Sequence, residues 1–406
     1  MKFYILLAFV VSFMPLQIQT CFASEQAESF HIYLDADMTH MKNSGTSIQR
    51  GIQTALSEMN NTLNGYKIEL ITLDHRGNTK RSLRNLERIN KDPSAIAIFT
   101  GLHSPPVLAN LSYINENKIL TLVPWAAATP ITRYNKTPKN WIFRLSVDDS
   151  KAGKILVERA INKGARRIAL LLENTGWGEA NLKTMTKSLA DHNLQPASVE
   201  RFNWGTQTVA ASLQLQRILK SRADAILLVA NAPEGISIIR SAVEIGLNIP
   251  IYSHWGITGG DFTEKVDYET RSKINLEFLQ TKFSFLADSQ TQFQRNVLNH
   301  AMEKFPDVNS AFDIIAPTGF IHAYDLTNLL ISAVRQAQIT PGSTNNNEKL
   351  HQALEHLKAP VQGLIKTYNS PFSPFSELNR DSHEALGRND LTMGFYGESD
   401  EVILIE

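Results

Sequence analysis

The sequence predicts an α/β protein of two doubly wound lobes with parallel sheets, and three observations predict it. Short apolar, strand-like runs alternate with amphipathic helical runs from Phe30 onward. The stretches between successive strands are long enough to carry a helix back across a sheet, as parallel pairing requires. After the segment 141–145 the same alternation begins again, so a second lobe follows the first.

Phe30, Ile32 and Leu34 alternate as a strand. The helix after it is capped near Thr46 or Ser47 and carries Ile48, Ile52, Ala55, Leu56 and Met59 on one face. Strands at 67–73, 96–99 and 119–123 then alternate with helices at 79–91 and 107–117. In the second lobe, helices at 149–163, 179–193, 209–221 and 234–245 separate strands at 167–172, 197–202, 225–229 and 250–253. The runs 167–172 and 225–229 are almost wholly apolar, as strands covered by helices on both faces should be. A strand-like run at 277–285 leads into long helices at 290–304 and 313–336, and a polar loop at 341–347 precedes a helix at 348–358. The chain turns Pro- and Ser-rich after Gly363 and ends in strand-like runs at 390–395 and 401–405.

The chain starts like an export leader. Lys2 precedes an uncharged, mainly apolar run at 3–14, Pro15 breaks it, and Ala23 offers a cleavage point that leaves Ser24 first. The single cysteine, Cys21, falls inside that leader, so the mature chain has no disulfide, zinc–thiolate site or cysteine nucleophile. Lys plus Arg equals Asp plus Glu at 40 each, which leaves no global field to draw nucleic acid.

In open parallel sheets, ligands sit beyond the carboxyl ends of the strands. The candidate loops are therefore 100–105 with His103 and Ser104, 124–130 with Trp125, Ala127, Ala128 and Thr129, and 173–179 with Trp177. Two more are 230–233 with Asn231 and 254–256 with His254, Trp255 and Gly256. Trp177 lies between two glycines and Trp255 between His254 and Gly256, where no helical or strand face is expected to bury them. Catalytic signatures are missing: there is no Gly-x-Ser-x-Gly, His-Glu-x-x-His or Walker loop, so no enzyme is expected. Asp35 and Asp37 read as capping or loop carboxylates rather than a metal pair, and the eleven histidines form no spaced cluster, so no metal and no cofactor is expected.

The chain resembles the type I periplasmic binding proteins, in particular the leucine/isoleucine/valine-binding family that serves ABC importers. The resemblance runs from Phe30 to about Leu391. It is carried by the loop from Gly101 to Ser104, by Ala127-Ala128-Thr129 followed by Pro130-Ile131-Thr132, and by Gly176-Trp177-Gly178-Glu179. Ala323-Tyr324-Asp325 and His383-Glu384-Ala385-Leu386 complete it. It implies two Rossmann-like lobes joined by three crossovers near Arg144, Lys282 and Gly363, with hinge closure on a ligand in the cleft. Residues 24–143 plus 283–362 would form one lobe, and 144–282 plus 363–406 the other.

By the same resemblance Ser104 and Thr129, with backbone from Ala127, would hold a ligand carboxylate, Ala128 being the alternative to Thr129. Trp177 takes the place of the aromatic that packs on the ligand, and Asn231 that of a second tyrosine. Trp255 stands where an amino-acid binder carries the acid that pairs with the ammonium, beside a retained Gly256. A carboxylate with an aromatic or bulky apolar body is therefore expected, with an amino acid as the alternative. The implied partners are permease subunits of an ABC importer, or a membrane sensor that reads ligand occupancy.

Overall fold

A computed structural model of the chain describes residues 29–405; the leader and the cleavage point expected at 1–24 lie outside them. The chain begins with β1 (Ser29–Ala36), α1 (Lys42–Ser57), β2 (Thr62–Leu63), β3 (Tyr66–Asp74), α2 (Thr79–Ile89) and β4 (Ala95–Thr100). Two short helices, α3 (Ser104–Ala109) and α4 (Leu111–Glu116), lead to β5 (Thr121–Val123) and β6 (Ile142–Arg144). These strands form a sheet in the order β2-β3-β1-β4-β5-β6, parallel except for the β2–β3 hairpin. The helix expected at 107–117 starts earlier, at Ser104, because Pro105 and Pro106 occupy a first turn whose N–H groups have no intrahelical partner anyway. It breaks at Asn110, whose side-chain amide donates to Pro106 O and Thr79 O.

The second half runs α5 (Asp149–Asn162), β7 (Ile168–Glu173), α6 (Gly176–Asp191), β8 (Ser198–Phe202), α7 (Thr208–Lys220), β9 (Ala225–Val229), α8 (Ala232–Glu244) and β10 (Ile251–Ser253). Single-turn helices α9 (Phe262–Lys265) and α10 (Tyr268–Arg271) precede β11 (Leu276–Thr281). Every side chain of β9 is fully buried, which accounts for its unbroken apolar sequence.

The chain then returns to the first half with α11 (Gln292–Lys304), α12 (Pro317–Ala337) and α13 (Asn346–Glu355). Helix α12 lies along α1, where the Ser47 hydroxyl donates to Ala316 O and accepts from Phe320 N. A small hairpin of β12 (Val361–Gln362) and β13 (Thr367–Tyr368) comes before β14 (Leu391–Tyr396) and β15 (Val402–Ile405). The second sheet has the order β15-β14-β11-β10-β9-β7-β8, parallel but for β14 and β15.

The last change of sheet comes later than Gly363. Asp325 of α12 accepts from Leu364 N, Ile365 N and the Tyr368 hydroxyl at 2.6, 3.1 and 2.8 Å. Phe372 and His383 pack on Phe143 with ring centroids 5.1 and 4.0 Å apart. Residues 364–384 thus cover the first sheet, and the chain joins the second at Leu391. That Pro- and Ser-rich stretch carries no periodic pattern to show which half it covers.

The three connecting segments lie side by side. Arg144 N donates to His383 O, Ala385 N to Arg144 O, and Lys282 N to Asp390 O. The Arg144 guanidinium is fully buried, forked onto Glu384 at 2.7 to 3.1 Å, 3.0 Å from Asp148 and donating to Ala128 O. Burial alone would raise the Asp148 carboxyl, but Arg144 and Arg133 outweigh it and hold it below the usual range.

Candidate ligand-binding cleft

The carboxyl ends of β4, β5, β7, β9 and β10 bring most of the expected loops together between the two sheets. On the first-sheet side, Ser104 opens α3 and its hydroxyl oxygen accepts from both Ala127 N and Ala128 N, each at 3.2 Å. Both N–H groups are thus spent on the Ser104 oxygen and hold it in place, so that its hydroxyl proton can be donated to one anionic oxygen, a cradle in which Ser104 is the donor. Thr129 is not part of it: its hydroxyl donates to Asp148 at 2.7 Å, which leaves Ala128 in the cradle position.

On the second-sheet side, Trp177 and Trp255 are 4% and 1% exposed, and both stand in helical first turns, contrary to the expectation that no helical face would bury them. Thr175 caps α6 by accepting from Trp177 N, so Gly176-Trp177-Gly178 is the opening of a helix rather than an open loop. Gly178 is required there, because a Cβ would stand 1.8 Å from Glu173 O. Trp255 packs on His254 and on His322 of α12, with centroids 5.7 and 5.3 Å apart. Burial pushes His322 down to about 4, so it is neutral; Nδ1–H donates to Pro124 O and Nε2 faces the Thr281 hydroxyl. Gly256 gives Trp177 its place, since a Cβ would stand 2.8 Å from the Trp177 ring and 2.7 Å from Ala230 O.

A buried carboxylate that the sequence reading missed links the two sides. Asp149 N donates to Ala127 O, while its Oδ1 accepts from Trp177 Nε1 at 3.2 Å and His254 Nε2 at 2.9 Å. His254 Nδ1 accepts from Trp255 N, which places the ring proton on Nε2. Asp149 Oδ2 is buried and has no partner. Asn231 turns away from this group and donates to Glu173, which also accepts from the Thr175 hydroxyl and from Trp204 Nε1. Burial, with Glu234 and Asp149 nearby, pushes the Glu173 carboxyl up to about 7.

The remaining candidates serve other contacts. Trp125 is 1% exposed and wedged against Gly319 and Ile48 within the first half. His103 faces Asp37 at 3.4 Å and packs under Trp204, which reaches over from the second half. Asp35 and Asp37 take separate partners, Asp35 the side chains of Ser82 and Asn85, Asp37 the backbone of Thr39 and His40, as loop carboxylates do. Leu102 against Gly259, Leu108 against Gly176, and Asn43 donating to Gly260 O carry the contact between the halves around the rim.

A buried cradle and an aromatic wall at the facing strand ends of two α/β halves define a two-lobed ligand-binding protein. The sequence matches the model of the periplasmic binding protein family over residues 33–380, and the chain belongs to that family. No curated protein sequence matches it. It is similar in fold to a type 1 periplasmic binding protein from Bordetella pertussis, with a TM-score of 0.78 at 19% identity over 93% of this chain and 99% of that one. A leucine-binding protein from Thermotoga maritima gives 0.73 at 19% over 93% and 98%. A solute-binding protein of an ABC transporter from Rhodopseudomonas palustris, in complex with 4-hydroxybenzoate, gives 0.74 at 17% over 93% and 95%. No helix among the described residues is long and apolar enough to cross a membrane.

Proposed function

We propose that the protein is an exported solute-binding subunit of an ABC importer, closing its two lobes on a small carboxylate with an aromatic or bulky apolar body. The observation that carries this reading is the pairing of the Ser104–Ala127–Ala128 cradle with the Trp177–His254–Trp255 wall. Export is supported by the family and by the leader-like run after Lys2. The three adjacent connecting segments support a hinge, and burial of Ser104 and Trp177 where the halves meet supports closure. The ligand class gains support from relatives of this fold described in complex with 4-hydroxybenzoate and with benzoate. The chemistry is capture, release and hand-over, with no turnover. A membrane sensor that reads occupancy would use the same closure, and solute uptake in cells lacking the protein separates it from import.

One observation favours a second ligand. The unpartnered Oδ2 of Asp149 would accept from an ammonium, so the acid missing at Trp255 has a substitute in space. Calorimetry with benzoate, 4-hydroxybenzoate, leucine and phenylalanine decides between them. Tight binding of the aromatic acids supports the first reading. Tight binding of the amino acids alone, abolished in Asp149→Asn, replaces it with the second.

A further inference from the structure

Away from the cleft, His351 and Glu355, one turn apart on α13, meet His383 of the segment that returns to the second sheet. Both imidazoles are fully buried, and the Glu355 side chain is 10% exposed. His351 Nε2 lies 2.9 Å from Asn140 O, and His383 Nδ1 lies 3.0 Å from Ile142 O. A carbonyl oxygen can only accept, so these two nitrogens carry the ring protons. In the neutral rings, His351 Nδ1 and His383 Nε2 are then bare lone pairs, and both point at the Glu355 carboxylate, at 3.4 and 3.2 Å. His351 Nδ1 has no hydrogen-bond partner.

Two lone pairs facing a carboxylate repel unless something positive lies between them. Trp141 lies 4.6 Å from the His351 ring, Phe143 stacks at 4.0 Å on His383, and Phe375 closes the far side at 6.1 Å. This aromatic box leaves the two lone pairs and the carboxylate facing one another with apolar surroundings on the other sides. Among the described residues, the ion-pair partners of Glu355 are these two histidines. A tetrahedral ion bound at zinc-like bond lengths places neighbouring ligand atoms about 3.3 Å apart, close to the two separations seen here. The carbonyls that hold the far nitrogens are the outer partners that metal-ligating histidines usually have.

We propose that His351, Glu355 and His383 form a site for one divalent d-block cation of the zinc class, which clamps α13 to the segment leading into the second sheet. Solvent at the partly exposed edge of Glu355 completes the coordination. The histidine cluster was invisible in the sequence because Glu355 and His383 are 28 positions apart and meet only through the fold.

The test uses the full mature chain, stripped with a chelator and titrated with zinc. One equivalent should bind and raise the thermal midpoint, and Glu355→Gln and His351→Gln should each abolish both effects while leaving the far-ultraviolet circular dichroism unchanged. Binding that is absent in excess zinc, or unaltered by both substitutions, overturns the proposal. Should the variants fail to fold, nitrogen NMR of the labelled wild type decides. Zinc should shift one Nδ1 and one Nε2 lone-pair resonance together, a mixed mode that these carbonyl contacts dictate. Unchanged imidazole resonances at saturation overturn it.

Discussion

On the first-sheet side of the cleft the residues are small and uncharged, and Ser104 offers a hydroxyl whose oxygen is held by Ala127 N and Ala128 N. On the second-sheet side they are large or acidic: Trp177, Trp255, His254, Asp149 and Glu173, interlocked by their own hydrogen bonds. The difference separates two tasks. Under the proposed function the Ser104 hydroxyl, held by two backbone donors, would grip a charge that every ligand of the class shares and would hold no information about its body. The indoles and buried acids would read the body, and each could change without disturbing the cradle.

The comparison is broken most severely by reversing the cradle's polarity. Ser104→Asp replaces the donating hydroxyl with an anion that faces the ligand's own charge and should remove measurable carboxylate binding, a loss of about 3–5 kcal/mol by analogy with uncompensated buried charges. Calorimetry against benzoate and leucine should show the same loss for both, since the cradle does not distinguish them.

On the second face, Glu173 is sensitive to pH. Glu173 rises from 4.5 to about 7 through burial. Below its ordinary value the carboxyl is protonated in both folded and unfolded chains and costs nothing. Between 4.5 and about 7 the unfolded chain loses its proton while the folded one keeps it, so stability falls as pH rises, by up to about 3 kcal/mol. Asp35 and Asp325, both raised to about 7 by burial, act in the same direction. His75 and His322, lowered to about 4 by burial, act in the opposite direction over the same window, so the comparison with a variant isolates Glu173: urea midpoints should fall less, or rise more, with rising pH in Glu173→Gln than in the wild type.

Trp177→Ala should weaken an aromatic acid at least tenfold, or about 1.4 kcal/mol, while leaving acetate, which has no body to stack, nearly unaffected. The smallest change expected for an aromatic acid is from Asp149→Asn, which removes a like charge and should leave benzoate affinity equal or slightly better, read by the same titration. If an α-amino acid is the ligand, the same variant should abolish its binding.

Much of this was legible in the sequence where a residue's surroundings are local. The apolar runs that became β7 and β9 could only be covered on both faces, and the strand-end loops followed from the parallel order. Ser104, Ala127 and Ala128 lie in those loops, and the family resemblance is what singled them out as expected carboxylate contacts. The misreadings share one cause. Trp177 between two glycines looks like a loop until Thr175 is recognised as a helix cap, and Thr129 looks like a ligand group until Asp148 claims it. Asp149 gave no signal, since adjacent acids at a helix start read as capping, and Glu173 stood at a strand end with no partner visible nearby. Their roles come from Trp177, His254 and Trp204, which are distant in the chain. The change of sheet expected at Gly363 was misplaced for the same reason: Asp325 and Phe143 hold that segment through tertiary contacts.

The central claim is that the cleft grips a carboxylate through Ser104, Ala127 and Ala128 and reads an aromatic body through Trp177. Titration of the wild-type protein with benzoate and with benzamide, equal in shape but not in charge, tests it most directly. The account predicts saturable binding of benzoate and at least tenfold weaker binding of benzamide, since a hydrogen bond to a charged group contributes about 1.5–3 kcal/mol. Equal affinity for the two, or no binding of either, would contradict it.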